Sequence, residues 1–341
     1  MDTLTPESTT SSRFSQIVAP FCAAKNVTCD PYEKYRSYDG KCNNLGNPLW
    51  GSALTAQPRF ISATYGDRYN SGSEPRKNSV RYGSLPNPRD ISNTVHKEGT
   101  TFARGCLSNV AFTHFGQFID HDVVSTPIKK SKKGDIRHTE VPMLNAIHTL
   151  FLREHNRIVG ILKKINPHHD GLRLYNEARK ILIGVYQHII YKEFIPKLLG
   201  TTLAHPFVAS AVRNHLFETK PGNGFDLSAL NIQRGRDHGL PSYNKFRKFC
   251  GLQPALTFGY NAIGLRDMSY ESAGALQRMY RHPDDIDLFS GGLSETPVQG
   301  GLVGPTFGCL IALQFEYYRN GDRFFYENAF SKTGFTSVLF H

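Results

Sequence analysis

The feature that most constrains the fold is the helical spacing of apolar residues over two long stretches of the chain. One stretch predicts a helix from about Pro142 to Ile165, which Asn166-Pro167 should end because a residue before proline disfavours helical geometry. The second predicts a helix from about Leu172 to Ile195, with Gly200 as the following C-terminal signal. Strand signals are few, so we predict a mainly α fold with very little β structure.

Each long helix carries an apolar stripe that we expect to face a core. The residues of the two stripes are Ile147, Leu150, Phe151, Ile158, Ile161, Leu162 and Ile165, and then Leu174, Ala178, Ile181, Leu182, Val185 and Ile189. A further helix is predicted from about Cys106, with Ser108 as its N-cap. Its apolar positions are Val110, Ala111, Phe115, Phe118 and Ile119. Shorter helices are predicted at 206–217, 241–249, 270–280 and 304–319.

The N-terminal part of the chain has a different character. Residues 1–14 are polar and rich in Ser and Thr, and we expect a disordered tail without an apolar signal core. Residues 15–105 hold many Gly, Pro, Asn and Ser, which indicates loops with short elements. There is no internal repeat, so we interpret 15–341 as a single domain.

The composition excludes several classes of protein. A hydrophobic share of 39% and a charged share of 20% are typical of a soluble globular chain, and no stretch reaches the length of a membrane span. The six cysteines form no CxxC pair, which argues against a zinc knuckle or a thioredoxin-type site. An even cysteine number and a glycosylation triplet at Asn26-Val27-Thr28 favour an extracellular, disulfide-bonded protein.

A net charge of +11 raises the hypothesis of nucleic-acid binding. The Lys and Arg residues are spread along the whole chain, however, and the densest run, Lys129–Lys133, is short and has the character of a solvated loop. No zinc-finger, RNP or basic-zipper pattern accompanies it. We therefore expect no nucleic-acid partner, whereas anionic cell-surface or matrix polymers are compatible with the charge.

The stretch Phe115–Asp122 carries the most informative group of polar side chains. On a helix Gln117, Asp120 and His121 share one face, because they are related by three and four residues. Asp122 is turned about 100° away from His121 and must serve a different partner. This pattern fits an apolar stripe that ends in a polar pocket. It also fits a helix end with solvated carboxylates and an incidental histidine, and periodicity alone leaves both open.

Two weaker signals follow along the chain. Arg137 and Glu140 are three residues apart and could point together, although such a spacing is usually a surface pair. His148 and His155 lie on the first long helix without the spacing of a zinc protease, so we expect them to make structural hydrogen bonds.

Several long motifs together resemble the animal haem peroxidase family, which includes myeloperoxidase, peroxidasin and peroxinectin. They lie, in the family's order, at 29–44, 47–51, 84–86, 116–127, 134–200, 230–241 and 304–324. The resemblance covers most of residues 29–330, and several independent motifs make it specific. It implies a helical peroxidase-like fold, haem b as cofactor, and hydrogen peroxide and small reducing donors as partners.

The resemblance also implies roles for particular residues. His121 would be the general base that takes a proton from hydrogen peroxide. Arg137 would stabilise the developing charge, and Gln117 would hydrogen-bond ligands over the iron.

Further roles concern the cofactor. Asp120 and Glu140 match carboxylates that esterify the haem, so covalent attachment is implied as an option. Asn231 matches the partner of the proximal histidine, and Arg234 matches an arginine near the propionates. Asp122 matches one calcium ligand. The implied disulfides are Cys29–Cys42 and Cys250–Cys309, which leaves Cys22 and Cys106 unassigned.

The chain lacks two segments of the family pattern. Between His121 and Arg137 the loop that supplies most calcium ligands is absent, so we expect an incomplete calcium site, since calcium takes six to eight oxygens. Between Gly200 and Asn231 the helix with the proximal histidine is absent, and only His205 and His215 lie there, neither in a matching context. The proximal ligand is therefore unknown, and we expect a chain that folds poorly and binds haem weakly.

Two functions remain as hypotheses. The first is a secreted haem peroxidase that oxidises small donors with hydrogen peroxide, in oxidative stress, host defence or matrix cross-linking. The second is a catalytically impaired relative that acts in adhesion or the matrix, for which Lys133-Gly134-Asp135 resembles an integrin-type tripeptide. The sequence does not identify the donor.

Overall fold

The computed structural model describes residues 27–53, 55, 58–96, 110–124, 141–200, 214–216, 218–328 and 334–335. The helices within these ranges are α1 (Pro88–Val95), α2 (Val110–Val123), α3 (Pro142–Ile165), α4 (Gly171–His188), α5 (Ile195–Gly200), α6 (Leu227–Asp237), α7 (Tyr243–Phe249), α8 (Tyr270–Met279), α9 (Leu288–Ser294) and α10 (Pro305–Gly321). The described residues contain four isolated β-bridges and no strand. The prediction of a mainly α fold is confirmed.

The first long helix has the predicted bounds, but the second continues beyond its predicted end. A π-helical turn, Ile189–Phe194, joins α4 to α5, so that the helical path reaches Gly200. Pro196 explains the wider turn: proline has no N–H and its ring clashes with the carbonyl four residues earlier in an α-helix. The start of α2 at Cys106 and Ser108, the tail 1–14 and most of 206–217 lie outside the described residues.

Helices α1, α6, α7 and α8 surround what we call the C-terminal core. Its buried members include Ile91 and Val95 of α1, Ile232 of α6, and Leu276 of α8. Helix α6 is fastened to α1 through Asp226, a buried carboxylate that caps α6 by accepting from the backbone N–H of Ala229 at 3.1 Å. The same carboxylate accepts from the Ser92 hydroxyl at 3.0 Å and pairs with Arg89. One side chain therefore fixes both helices.

Two buried ionic networks reinforce this core. Arg236 makes a two-pronged contact with Asp287, at 3.0 and 2.6 Å, and Asp287 also pairs with Arg76 and accepts from Tyr280.

In the second network, Glu295 accepts from Arg247, from the Tyr243 hydroxyl at 2.7 Å, and from the backbone N–H of Thr306 at 2.8 Å. Because Thr306 lies in the first turn of α10, Glu295 also caps that helix. Cys250–Cys309 links the end of α7 to α10.

Helices α2, α3 and α4, with the π-helical turn, form a second region that we call the α2–α4 layer. Its buried centre is Ile119, Ile190 and Phe194, against which Phe112, Phe115 and Tyr186 pack. The predicted apolar stripe of α3 is buried only in part. Ile158 is buried, and Ile147, Phe151 and Leu162 are partly buried. Leu150 is 64% exposed, however, and Ile161 and Ile165 are also exposed, as is Val185 in the stripe of α4. Helix α3 packs mainly against α4 and α2, and this packing leaves those residues uncovered.

The N-terminal region is loop-rich as predicted, and the C-terminal segment holds it in place. Both predicted disulfides are present, and Cys29–Cys42 closes the first loop. Arg323 donates to the carbonyl of Cys42 at 2.8 Å, and Arg36 pairs with Asp322 at 2.5 Å. No helix in the described part of the chain is long and apolar enough to cross a membrane.

Candidate active site

Helix α2 brings Gln117 and His121 into direct contact. One helical turn separates them, and the amide Nε2 of Gln117 lies 3.3 Å from Nε2 of His121. Both side chains are partly buried, in line with the interpretation of a polar pocket rather than a solvated helix end. Asp120 is partly buried beside them, and its charge reaches Tyr318, whose pKa is raised by burial and then by Asp120 and Asp122.

The other ring nitrogen of His121 contacts a second histidine. His121 Nδ1 lies 3.3 Å from His148 Nε2 on α3. In the tautomer with its proton on Nδ1, His121 donates to His148 Nε2 and accepts on its own Nε2 from the amide N–H of Gln117. This tautomer leaves Nε2 of His121 as the basic nitrogen, which is the form a general base requires.

Aromatic rings support this histidine pair. The ring of Phe118 stands edge-on to that of His148 at 4.8 Å, and Phe151 stacks on Phe118 at 5.0 Å. Tyr186 contacts both phenylalanines edge-on at 5.4 Å. Burial, followed by the charge of Asp122, raises the pKa of Tyr186, so its phenol stays neutral. Sequence reasoning placed His148 among structural hydrogen bonds and missed its contact with His121, because the partners are 27 residues apart.

Asp122 points away from this group, as its position on the helix predicts. More than a third of the Asp122 surface is exposed. Desolvation by the surrounding protein nevertheless raises the pKa of Asp122, and the charges of Arg36 and Arg179 partly offset that rise. Among the described residues no group of three or more His, Cys, Asp or Glu side chains could hold a metal ion.

The candidates on α6 differ in exposure: Asn231 is partly buried and Arg234 is exposed. Within the described ranges, the hydrogen bonds and ion pairs on α6 lead to α1 and to the C-terminal core, through Asp226 and Arg236. Direct contacts thus join Gln117, His121 and His148, and no hydrogen bond or ion pair between described residues links Asn231 or Arg234 to them.

Some predicted residues lie outside the described part of the chain. These are Arg137, Glu140, His205 and the Lys133-Gly134-Asp135 tripeptide. His215 is described: it is exposed and pairs with Glu218 at 2.5 Å in a loop. That pair occupies one ring nitrogen at the surface, which is unlike the setting of a buried iron ligand.

The described residues fit one face of a haem site. Gln117 and His121 present an amide and a basic nitrogen together, as the distal face requires. His148 cannot be the ligand on the opposite face, because its hydrogen bond to His121 leaves no space for a porphyrin between the two rings. With His215 at the surface, the described part of the chain contains no assigned iron ligand.

Comparison with known proteins places these residues in a family. The model of the family described as animal haem peroxidase matches three stretches, residues 35–134, 129–209 and 201–339. A peroxidase-like protein of Margaritifera margaritifera is 28% identical over 549 aligned positions, which cover 95% of this chain and 69% of that protein. Myeloperoxidase of Mus musculus is 33% identical over 538 positions, with 92% and 74% coverage. Both alignments are longer than the 341-residue chain, so each relative has residues without a counterpart here.

Solved structures agree on the fold. Peroxidase A from Dictyostelium discoideum superimposes with a TM-score of 0.70 at 21% identity, covering 90% of this chain and 96% of that one. A fatty acid alpha-dioxygenase from Oryza sativa superimposes with a TM-score of 0.66 at 13% identity, covering 88% and 80%. At such identities these likenesses concern the helical fold alone.

Proposed function

The chain belongs to the animal haem peroxidase family, and on that premise we propose that it is a haem-dependent peroxidase that oxidises small donors with hydrogen peroxide. Its relatives support a peroxidase-like function and the oxidoreductase class in general. The observation that carries the finer proposal is the chain of contacts from Gln117 through His121 to His148, because it leaves a basic nitrogen on His121 next to an amide donor.

In this proposal the protein's own residues manage the proton of the peroxide. Bound haem supplies the redox chemistry by which the O–O bond is split. His121 Nε2 accepts the proton of hydrogen peroxide and returns it to the departing oxygen. The Gln117 amide orients the peroxide, and His148 holds the His121 ring by accepting from Nδ1. Arg137 stabilises the charge that develops.

The remaining family positions would hold the cofactor. We propose that Asp120 and Glu140 are the carboxylates available for covalent attachment to haem b, that Arg234 contacts its propionates, and that Asn231 supports the proximal side. A calcium site is not part of this proposal, because the chain lacks, between His121 and Arg137, the loop that supplies most calcium ligands in the family.

We further propose that 15–341 is one peroxidase domain that lacks the calcium-loop and proximal-histidine segments. The family match supports this, because its stretches overlap at 129–134 and 201–209, where those segments would belong. Alignments longer than the chain point the same way. Without its proximal ligand, haem loses its main anchor, so we expect weak binding.

The test is haem titration of the purified chain followed by turnover of a phenolic donor with hydrogen peroxide. We expect weak binding and slow turnover, increased by millimolar imidazole, which can supply the missing nitrogen ligand. His121→Ala should reduce turnover by about 10²–10⁴-fold, the usual contribution of a general base. His155→Ala is the matched control, because His155 is a partly buried histidine of α3 that contacts Tyr175 of α4. Turnover that is equal in wild type and His121→Ala would contradict the mechanism, and a sharp 1:1 Soret band without imidazole would contradict the missing ligand.

The lack of an assigned iron ligand among the described residues favours a second candidate function, that of an impaired peroxidase acting in adhesion or the matrix. Lys133-Gly134-Asp135 would then be the attachment motif. Cell attachment that is lost in Asp135→Ala, with haem content unchanged, would support this function. Attachment that persists in Asp135→Ala would exclude the tripeptide.

We propose an extracellular location for either function. The support is the pair of disulfides, Cys29–Cys42 and Cys250–Cys309, since such bonds persist in oxidising compartments. The positive net charge of +11 also suits anionic polymers of the cell surface.

A further inference from the structure

A cleft between the N-terminal loop and α4 is lined mainly by cationic and polar side chains. Lys34, Tyr35 and Arg36 form one side, and Asn176, Arg179, Lys180 and Ile183 of α4 form the other, with Phe324 at the end. Its volume is about 290 Å³, which includes the solvent space at its open mouth. Four of these eight side chains are cations and none is a carboxylate.

Two of the four cations already have anionic partners. Lys34 pairs with Glu177, which also accepts from the Tyr35 hydroxyl at 2.8 Å. Arg36 makes a two-pronged contact with Asp322, at 2.7 and 2.5 Å. These pairs fix the wall of the cleft and neutralise half of its charge.

The other two cations bond only neutral groups. Arg179 donates to the carbonyls of Arg36 and Ser37, at 2.8 and 3.3 Å, and lies over the Tyr38 ring. Lys180 donates to the carbonyl of Gly334 at 2.8 Å. Within the described ranges neither has a carboxylate oxygen within 4 Å, and Asp122 influences Arg179 only at longer range. Their two charges are therefore not balanced by a direct ion pair.

The electrostatics agree with this geometry. Burial lowers the pKa of Lys180, and the positive charges of Lys34 and Arg36 lower it further, against the opposing effect of Glu177. Desolvation is the largest cause of the lowered pKa, and the smaller effects of Lys34 and Arg36 reflect the positive charge of the cleft. An anion in the cleft would reverse that effect.

We propose that this cleft is a binding site for a sulfate or phosphate group, held mainly by Lys180 and Arg179, with a further N–H donor from Lys34, which stays paired with Glu177. These side chains, on two sides of the cleft, supply charge-assisted N–H donors for several oxygens of one anion. The enclosed part of the cleft has room for about one water molecule, so a side chain must move before the group can enter. Lys34 is 45% exposed, so its side chain can move to admit the group. The group can be a free ion or part of a sulfated polymer.

The test compares inorganic sulfate with a sulfated heparin disaccharide on the full chain, by calorimetry and thermal unfolding at constant ionic strength. We expect millimolar affinity for at least one probe. Lys180→Gln should weaken it by about tenfold, the loss of one charge-assisted hydrogen bond. Lys163→Gln removes an exposed charge of α3 and serves as the matched control.

Each outcome decides the proposal. Binding that is weakened in Lys180→Gln but not in Lys163→Gln supports the site, and the tighter probe identifies the free ion or the polymer as its source. Equal binding in both variants overturns the proposal, because sulfate also stabilises proteins non-specifically. The absence of binding by both probes overturns it as well. Should Lys180→Gln lose its helical circular dichroism, Arg179→Gln, at the other cation without a described carboxylate partner, provides the same comparison.

Discussion

The C-terminal core and the α2–α4 layer are built from similar helices but are packed very differently. Helix α9 has seven residues, of which four are buried, whereas α3 has 24 residues and only Leu144 and Ile158 are buried. The core also contains two buried ionic networks, around Asp287 and Glu295. The layer has its histidine pair and aromatic wall, but it leaves Leu150, Leu152 and Ile165 exposed. The difference is therefore one of burial: the core covers its helices, whereas the layer leaves one face of α3 exposed.

The proposed loss of two family segments offers a physical reason for this difference. Helices α3 and α4 lie between the two places where successive stretches of the family match overlap, 129–134 and 201–209. A segment lost at either place would have supplied surface against which an apolar helix face could pack. The C-terminal core lies almost wholly after the second overlap. We therefore expect the core to carry most of the stability of the chain.

The largest effect should come from breaking an ionic network of the core. Arg247→Met leaves Glu295 without its cation, in a site where Glu295 has no exposed side-chain surface. The free energy of unfolding should fall by about 3–5 kcal/mol, as for other broken buried pairs. Urea unfolding measures the change. Arg157→Met removes the exposed partner of Glu154 in α3 and should cost less than about 1 kcal/mol; equal losses would contradict the comparison.

A matched pair of truncations compares apolar packing in the two regions. Leu276→Ala empties a fully buried position of α8 and should cost about 2–5 kcal/mol through lost burial and the cavity left behind. Leu152→Ala removes a side chain that is 62% exposed on α3 and should change stability by at most about 0.5 kcal/mol. The same urea titration serves both variants, and a large loss in Leu152→Ala would show that α3 is covered.

Alkaline pH should weaken the contact between α4 and the C-terminal segment. Burial, and then the charge of Glu327, raises the pKa of Tyr326 to about 12 from its ordinary value of 10.0. The folded chain keeps this phenol neutral, so its contribution is complete below pH 10 and is lost as the pH rises from about 10 to about 12. Tyr326→Phe should reduce the slope of stability against pH in that range. An unchanged slope by urea unfolding at several pH values would exclude Tyr326 as its source.

Replacing exposed apolar residues of α3 should affect stability least and should increase solubility. Replacing Leu150, Leu152 and Ile165 together by Gln removes exposed apolar surface from α3. Each replacement should change the free energy of unfolding by no more than about 0.5 kcal/mol. Static light scattering should show less association than in wild type. Loss of helicity on circular dichroism would mean instead that these side chains are packed.

Local signals account for the helices that sequence reasoning predicted correctly. Pro142 and Asn166-Pro167 mark both ends of α3, and its predicted bounds are those observed. Helix α6 was missed because its apolar periodicity is weak, although Asp226 caps its start and Gly239, with a φ of 61°, follows its end. The exposure of the α3 stripe could not be predicted, because periodicity identifies an apolar face and not its partner.

The candidate site also contains contacts that the sequence could predict and contacts that it could not. Gln117 and His121 could be paired from their spacing, since four residues bring side chains together on any helix. The contact of His121 with His148 depends on how α2 and α3 pack, and the attachment of α6 to α1 depends on the buried carboxylate of Asp226. Spacing within one helix is therefore informative, whereas relations between helices require the fold.

The clamp between the two ends of the chain has a consequence for hydrogen exchange. Two contacts join residues near 30–43 to residues near 322. Arg36 pairs with Asp322, and Arg323 donates to the carbonyls of Pro31 and Cys42. Amide protons in these two stretches, almost 300 residues apart, should exchange together as one opening unit. A shortened C-terminus would then expose the first loop to exchange while the disulfide Cys29–Cys42 still holds its shape.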